Sequence, residues 1–463
     1  MFTAHPGWSD LNRRRFLKNC GTGLMGLSLP NFLALRSQAG AAPSTGAGFG
    51  KAKACIVLYC WGGTSHIDTW DPKPNAPAEI RGEFKTIATS APGVRVGEHM
   101  PLLARQMHRL AVVRSVHHRS AAHGKGMYWN MTGHPPPQFE VAANLPPSVT
   151  DWPNLGSMVA RLRRGPRGLP AAVQVPYPLV DNNTLQAGDG PGFLGKAYAP
   201  VVLRPGKGKA YGGVSRDLGT LVLQPAEDSD PARLRERLTL TDQLAARVDS
   251  APARSYRHYR DLAADLLTSP AVRNTLDLER ENPRVLDRYG SHICGTSMLL
   301  SRRLVEAGVP LVTVVCAAGD LNGSAGDHWD THGDNFNRLK RDLLPPLEQG
   351  SNALLDDLAE RGLLDSTLVI WLTEFGRTPK IGGNGRDHYP FCYSVALAGA
   401  GVRGGQVYGS SDRIGAFPHD LPVGPNDLHA TIFNALGIST DTHIEDNQGR
   451  PLALTDGAPL PLY

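Results

Sequence analysis

An α/β fold around a mostly parallel sheet is what this 463-residue sequence predicts, on three observations. Short runs that are continuously apolar and rich in β-branched residues recur along the chain, as in strands covered on both faces. Helical stretches separate them, the alternation expected of α/β proteins. The composition, 41% hydrophobic and 20% charged with 51 Gly and 37 Pro, describes a loop-rich globular chain and excludes disorder and fibres.

The first strand is Ala54-Cys55-Ile56-Val57-Leu58-Tyr59-Cys60, stopped by Gly62-Gly63. A helix over 101–109 leads into a second strand over 110–116, and a helical stretch follows around 120–131. Residues 135–290 combine a Pro-, Gly- and Asn-rich stretch, a short apolar run at 171–175 and a charged helical part from 232, read as an insertion or cap. A helix over 292–307 then feeds a strand over 310–316, and a long helix over 335–362 feeds a strand over 367–372. An apolar run at 393–397, a helix over 426–436 closed by Gly437 and a Pro-rich tail from 457 complete the chain.

Asn12-Arg13-Arg14-Arg15-Phe16-Leu17-Lys18, followed by a weakly apolar stretch to Leu35, reads as a twin-arginine export signal over residues 1–41, with a flexible leader over 42–51. The apolar stretch is too short and too broken by Gly and Pro for a stable membrane span. The signal makes the twin-arginine translocase a partner during export and places the mature chain in the periplasm or outside the cell. It also carries +4 of the net charge of +5, so the body is nearly neutral and offers no general nucleic-acid surface. Beyond the signal, Cys55, Cys60, Cys294, Cys316 and Cys392 form an odd, scattered set and no disulfide framework.

Ligands of parallel sheets meet the loops after the carboxyl ends of the strands. The first such loop carries His66 and Asp68, and the second His117, His118 and His123. The third carries Asp320, Asp327, His328, Asp330 and His332, and the fourth Glu374 and Arg377 followed by Arg386, Asp387 and His388. Imidazoles and carboxylates together are metal ligands, and arginine suits a tetrahedral oxyanion. Each group also has an ordinary structural reading: Asp330 with His332 as a loop pair, Arg377 and Arg386 as salt-bridge partners of Glu374 and Asp387. Gly21–Gly26 and Gly190–Lys196 imitate nucleotide loops but lack a leading strand.

The segments Gly62 to Pro74, Trp329-Asp330-Thr331-His332, Thr373-Glu374-Phe375-Gly376-Arg377-Thr378-Pro379 and Gly385-Arg386-Asp387-His388 resemble the exported bacterial family called domain of unknown function 1501, over residues 52–456. That resemblance implies an alkaline-phosphatase-like fold, among phosphatases, sulfatases and phosphoglycerate mutases. It also implies a divalent ion (zinc, manganese or calcium) and a small-molecule or glycan ester as substrate. The chain departs from the superfamily pattern at two points. Trp61 stands where a metal-binding acid follows the first strand, and counting back from Thr132-Gly133 lands on His123 rather than on a hydroxyl or thiol nucleophile. A rebuilt site would use Asp68, Asp330, His332, Glu374, Asp387 and His388 as metal groups, with His123 and Arg377 catalytic: His123 as nucleophile or base, Ser120 and Ser65 in reserve. The alternatives are a non-catalytic binding or assembly protein on the same fold and, on the export signal alone, a cofactor-loaded oxidoreductase.

Overall fold

A computed structural model describes residues 46–137, 146–181, 184–203, parts of 236–265, 269–316 and 328–463; the segment read as an export signal, Asp320 and Asp327 lie outside them. Its centre is an eight-stranded sheet: β1 (Ala54–Tyr59), β2 (Leu110–Val116), β3 (Ala172–Val175), β4 (Val201–Val202), β5 (Leu311–Val315), β6 (Thr367–Leu372), β7 (Tyr393–Ala398) and β8 (Gln406–Tyr408). The spatial order is β8-β2-β7-β6-β1-β5-β3-β4. β7 runs antiparallel to both neighbours and every other pairing is parallel. A parallel return needs a crossover, usually a helix, and the chain between β6 and β7 holds only a two-stranded ribbon, Gly376–Arg377 against His388–Tyr389.

Residues of β1 alternate between two apolar layers. Ile56 and Leu58 face a cluster that includes Leu103, Met107, Leu300, Leu304 and Leu354, from α1 (Pro101–Gln106), α4 (Ile293–Glu306), α5 (Leu344–Glu360) and the turn after α1. Cys55, Val57 and Tyr59 face Met127, Met131, Met158, Ile432 and Phe433, from α2 (His123–Thr132), α3 (Leu155–Leu162) and α6 (Pro425–Ala435). Each such side chain taken out of water stabilises the fold by about 1.5–3 kcal/mol before entropy is counted. The predicted long helix begins as Asn335–Arg338 and widens into a π turn over Leu339–Leu343, just before Pro345 and Pro346 open α5.

The described parts of 135–290 are continuous with this body. β3 and β4 extend the central sheet, and Val173, Val175, Val272, Leu276 and Tyr289 join its core. The tail is also built in, with Leu460 and Leu462 buried against the α6 side. All five cysteines of the described residues are free and buried. No helix among the described residues is long and apolar enough to cross a membrane.

Candidate metal centre

Because β1, β2, β5 and β6 run the same way, their carboxyl ends share one edge, and the loops that leave them converge. The loop after β5 lies against the one after β1, with the Trp329 amide donating to the Trp61 carbonyl at 2.9 Å. Only glycine permits this approach. Gly62 sits at φ 116°, and a Cβ there would stand 2.4 Å from the Asp330 nitrogen. The Gly62 amide donates to Glu374 Oε1 at 2.7 Å, tying the β1 and β6 loops together. Helix α2 opens on His123 and is stopped by Gly133 in the left-handed conformation.

The side chains form one connected network around Asp330. Its Oδ2 lies 3.3 Å from His123 Nε2, and its Oδ1 lies 3.0 Å from His388 Nε2, 3.1 Å from His332 Nε2 and 2.5 Å from Arg377 Nη2. Ligand atoms of His123, Asp330 and His388 all fall within 4.8 Å of one another. The far nitrogens of the rings are committed. His123 Nδ1 donates to Glu374 Oε1 at 2.8 Å, His388 Nδ1 to the Ala121 carbonyl at 2.6 Å and His332 Nδ1 to Asp387 Oδ1 at 2.7 Å. Carbonyls and carboxylates only accept, so every Nε2 is the atom left to face Asp330.

Accessibility grades outward. Glu374 is fully buried, His123 nearly so, and the side chains of His332 and Asp387 are 47% and 71% exposed, so the mouth lies on their side. Trp61 stacks on His123 with centroids 4.8 Å apart, and Phe375 packs on both His123 and His388. Burial pulls the His388 pKa down, which keeps that ring neutral. Burial pulls the same way on His123, but its contacts with Asp330 and Glu374 outweigh it and hold the ring at about 9. Burial alone would raise Asp330; contacts with His123 and His388 and the charge of Arg377 hold it well below the usual carboxylate range instead.

The donor set passes a simple test of fit. His123 Nε2 is buried and has no well-aligned hydrogen-bond partner, while His388 presents a lone pair to a carboxylate. Such a cluster needs a proton or a cation at its centre. Two imidazoles and a carboxylate suit zinc or manganese better than calcium, which takes oxygen ligands.

Four sequence-predicted residues are placed differently from expectation: Glu374 accepts from the far nitrogen of His123 and from the Gly62 amide, Asp387 is held by the far nitrogen of His332, so neither faces the centre, and Asp68 and Arg377 are taken up elsewhere. Asp68 is fully buried away from the cluster, where Arg386 grips it at 2.8 and 3.0 Å and Ser65 and Asn335 donate to it. Arg377 is also fully buried, and its guanidinium donates to the carbonyls of Gly62, Gly63, Trp329 and Arg386 as well as to Asp330. Spent on these partners, it positions Asp330 rather than reaching towards an incoming anion. Residues that strand-end reading overlooked are Ala121, whose carbonyl orients His388, and Asn130, which with His118 donates to the Glu374 carbonyl. A backbone acceptor has no sequence signature, and Asn130 sits mid-helix, away from any strand end.

No curated protein matches the chain. Solved structures similar to it include a protein of the alkaline phosphatase superfamily from Vibrio parahaemolyticus, 11% identical with a TM-score of 0.38 over 89% of this chain and 75% of that one. A sulfatase from Pseudoalteromonas sp. is 10% identical with a TM-score of 0.37 over 83% and 68%. A phosphonate monoester hydrolase from Silicibacter pomeroyi is 13% identical with a TM-score of 0.35 over 88% and 77%. A family model described as "Protein of unknown function (DUF1501)" matches residues 52–461, and the chain belongs to that family.

Proposed function

We propose that the chain is an exported, metal-dependent hydrolase of phosphate or sulfate esters. His123 Nε2, Asp330 and His388 Nε2 hold one zinc or manganese ion, and His332 with Asp387 forms the dyad that moves the proton. The observation that carries the reading is the orientation of the rings: Glu374 and the Ala121 carbonyl fix the far nitrogens of His123 and His388, so both Nε2 atoms aim at Asp330. When bound, such an ion polarises an ester oxygen and makes water a better nucleophile at neutral pH. His123, Asp330 and His388 would hold the ion, and substrate or water would complete its coordination.

The remaining roles fall to the chain's own groups. Asp387 holds Nδ1–H of His332, as the carboxylate of a hydrolytic triad orients its histidine. His332 Nε2, 3.1 Å from Asp330 Oδ1 and 2.9 Å from His388 Nε2 on the exposed side of the cluster, then serves as a base for attacking water and an acid for the leaving alcohol. Arg377 and Glu374 hold Asp330 and His123 in place. No covalent intermediate is required, which agrees with a histidine standing where relatives of the superfamily pattern carry a hydroxyl or thiol.

Protein purified after export should carry about one zinc or manganese per chain and hydrolyse an aryl sulfate or aryl phosphate. His388→Ala should lose both metal and turnover. His332→Ala should keep the metal and lose about 10²- to 10⁴-fold in turnover, together with one limb of its pH profile. Protein that takes up no metal, or a His332→Ala variant as active as the parent, would overturn the mechanism. A second reading rests on the same His123: without a nucleophile at the opening of α2, the fold serves as a non-catalytic binding protein. Stoichiometric metal without turnover on any ester supports that alternative.

A further inference from the structure

Next to the loop that leaves β1, on the α1 and α5 side of the sheet, buried residues surround a cavity of about 10 Å³. Trp70, Met100, Leu347 and Trp371 wall it with apolar surface, and each is at most 4% exposed. Two hydroxyl residues belong to the same lining, Thr64 in the loop after β1 and Ser394 on β7. They are 8% and 6% exposed, and neither Thr64 Oγ1 nor Ser394 Oγ has a hydrogen-bond partner among the described residues.

Strand alternation brings a hydroxyl into this apolar layer. Tyr393, Val395 and Leu397 of β7 pack on the α2 and α6 side, so Ser394 faces the opposite side with Ala396 and Ala398. Ser394 also falls where β7 and β2 slip by one residue, between the Tyr393–Val116 and Val395–Val113 pairs, an irregularity of the kind that re-aims a side chain. Thr64 is fixed by its own amide, which donates to Thr373 Oγ1 at 3.1 Å, and Thr373 in turn donates to the Cys60 carbonyl at 2.9 Å. Thr69 donates to the Ser65 carbonyl at 2.6 Å. The other two hydroxyls of the lining are therefore committed, and those of Thr64 and Ser394 are left to share one space.

We infer that this cavity is a binding site for a single water molecule, which bridges Thr64 Oγ1 and Ser394 Oγ. A hydroxyl taken out of solvent without a partner is costly, and one buried water with two or more polar contacts satisfies both groups at once. The volume is near the smallest that admits a water, and it excludes any larger ligand. Each hydroxyl can donate and accept, and the Cys60 thiol, a weak donor, lines the same space. The bridge joins β7 to the loop after β1, whose Gly62 amide holds Glu374 Oε1. It does not depend on the ester-hydrolase reading, because no group of the metal centre takes part in it.

Crystallography and thermal melting of the full mature chain test the site. A high-resolution map should show one peak about 2.8 Å from both hydroxyl oxygens. Thr64→Val and Ser394→Ala, which nearly preserve side-chain shape, should each lower the melting temperature by at least about 1 °C, because each removes one anchor of the bridge. The double substitution should cost less than the two single losses together, the mark of a shared partner. A map without the peak would overturn the site. So would single substitutions that each raise the melting temperature and simply add, which is how unpartnered hydroxyls in a dry cavity behave. The map of the parent protein is decisive even where a variant fails to fold.

Discussion

Asp68 and Asp330 are both aspartates on loops at the same sheet edge, and their surroundings assign them opposite work. Asp68 is locked in a buried bidentate pair with Arg386. Removing one partner of such a pair leaves an uncompensated charge, so Asp68→Asn should destabilise the fold by roughly 3–5 kcal/mol in chemical denaturation while leaving metal content intact. Loss of metal at unchanged stability would return Asp68 to the ligand set. Asp330 instead faces imidazole nitrogens and one guanidinium. His123, held at about 9, is protonated at neutral pH in the ion-free chain, and neutral His388 is not. Zinc binding at pH 7.5 should therefore release about one proton, measurable by titration calorimetry in buffers of different ionisation enthalpy. Zero release would place the ion elsewhere. The acid and imidazole types were legible in the sequence at this scale. Which aspartate faces the imidazoles was not, because Arg386 reaches Asp68 across more than three hundred residues of chain.

Helices α1 and α5 are joined by a device no pattern announces. Glu348 of α5 accepts the amides of Leu102 and Leu103 at 3.1 and 2.8 Å, capping the first turn of α1 from outside. Burial pushes the Glu348 carboxyl up to about 7, although those amides pull it back towards the charged form. A raised carboxyl pKa in the fold means that its stabilising contribution is complete below about 4.5 and is lost as pH rises through 7. Glu348→Gln, uncharged throughout, should lose about 1 kcal/mol at pH 5 through the weaker cap. Between pH 5 and 8 its melting temperature should climb relative to the parent, and a difference that stays flat with pH would refute this account. Elements themselves were largely readable: β1, β2, β5 and β6 lie within a residue of their apolar runs, because buried parallel strands are continuously apolar. The π turn before α5 and the antiparallel sense of β7 depend on prolines and on connection geometry, which hydrophobic periodicity does not report.

Among the described residues, the loops at the carboxyl edge of the sheet are drawn together by the ionic network around Asp330. An ion bound only by the folded chain raises stability by about 2.7 kcal/mol at a hundredfold excess over its Kd. Chelation should therefore lower the melting temperature, and zinc or manganese, but not calcium, should restore it; a melting curve indifferent to chelator would remove the ion from the folded state. By itself the sequence determined the α/β class, the strands, the export signature over residues 1–41 as an expectation, and the pool of carboxylates and imidazoles at strand ends, since these follow from local composition and apolar runs. Only the tertiary structure decided that β3 and β4 extend the central sheet, that Arg377 and Arg386 are spent inside the fold, and that His123, Asp330 and His388 meet. Hydrogen-bond partners and burial are set by distance in space, and residues 251 positions apart, as His123 and Glu374 are, become neighbours only once the strands are paired.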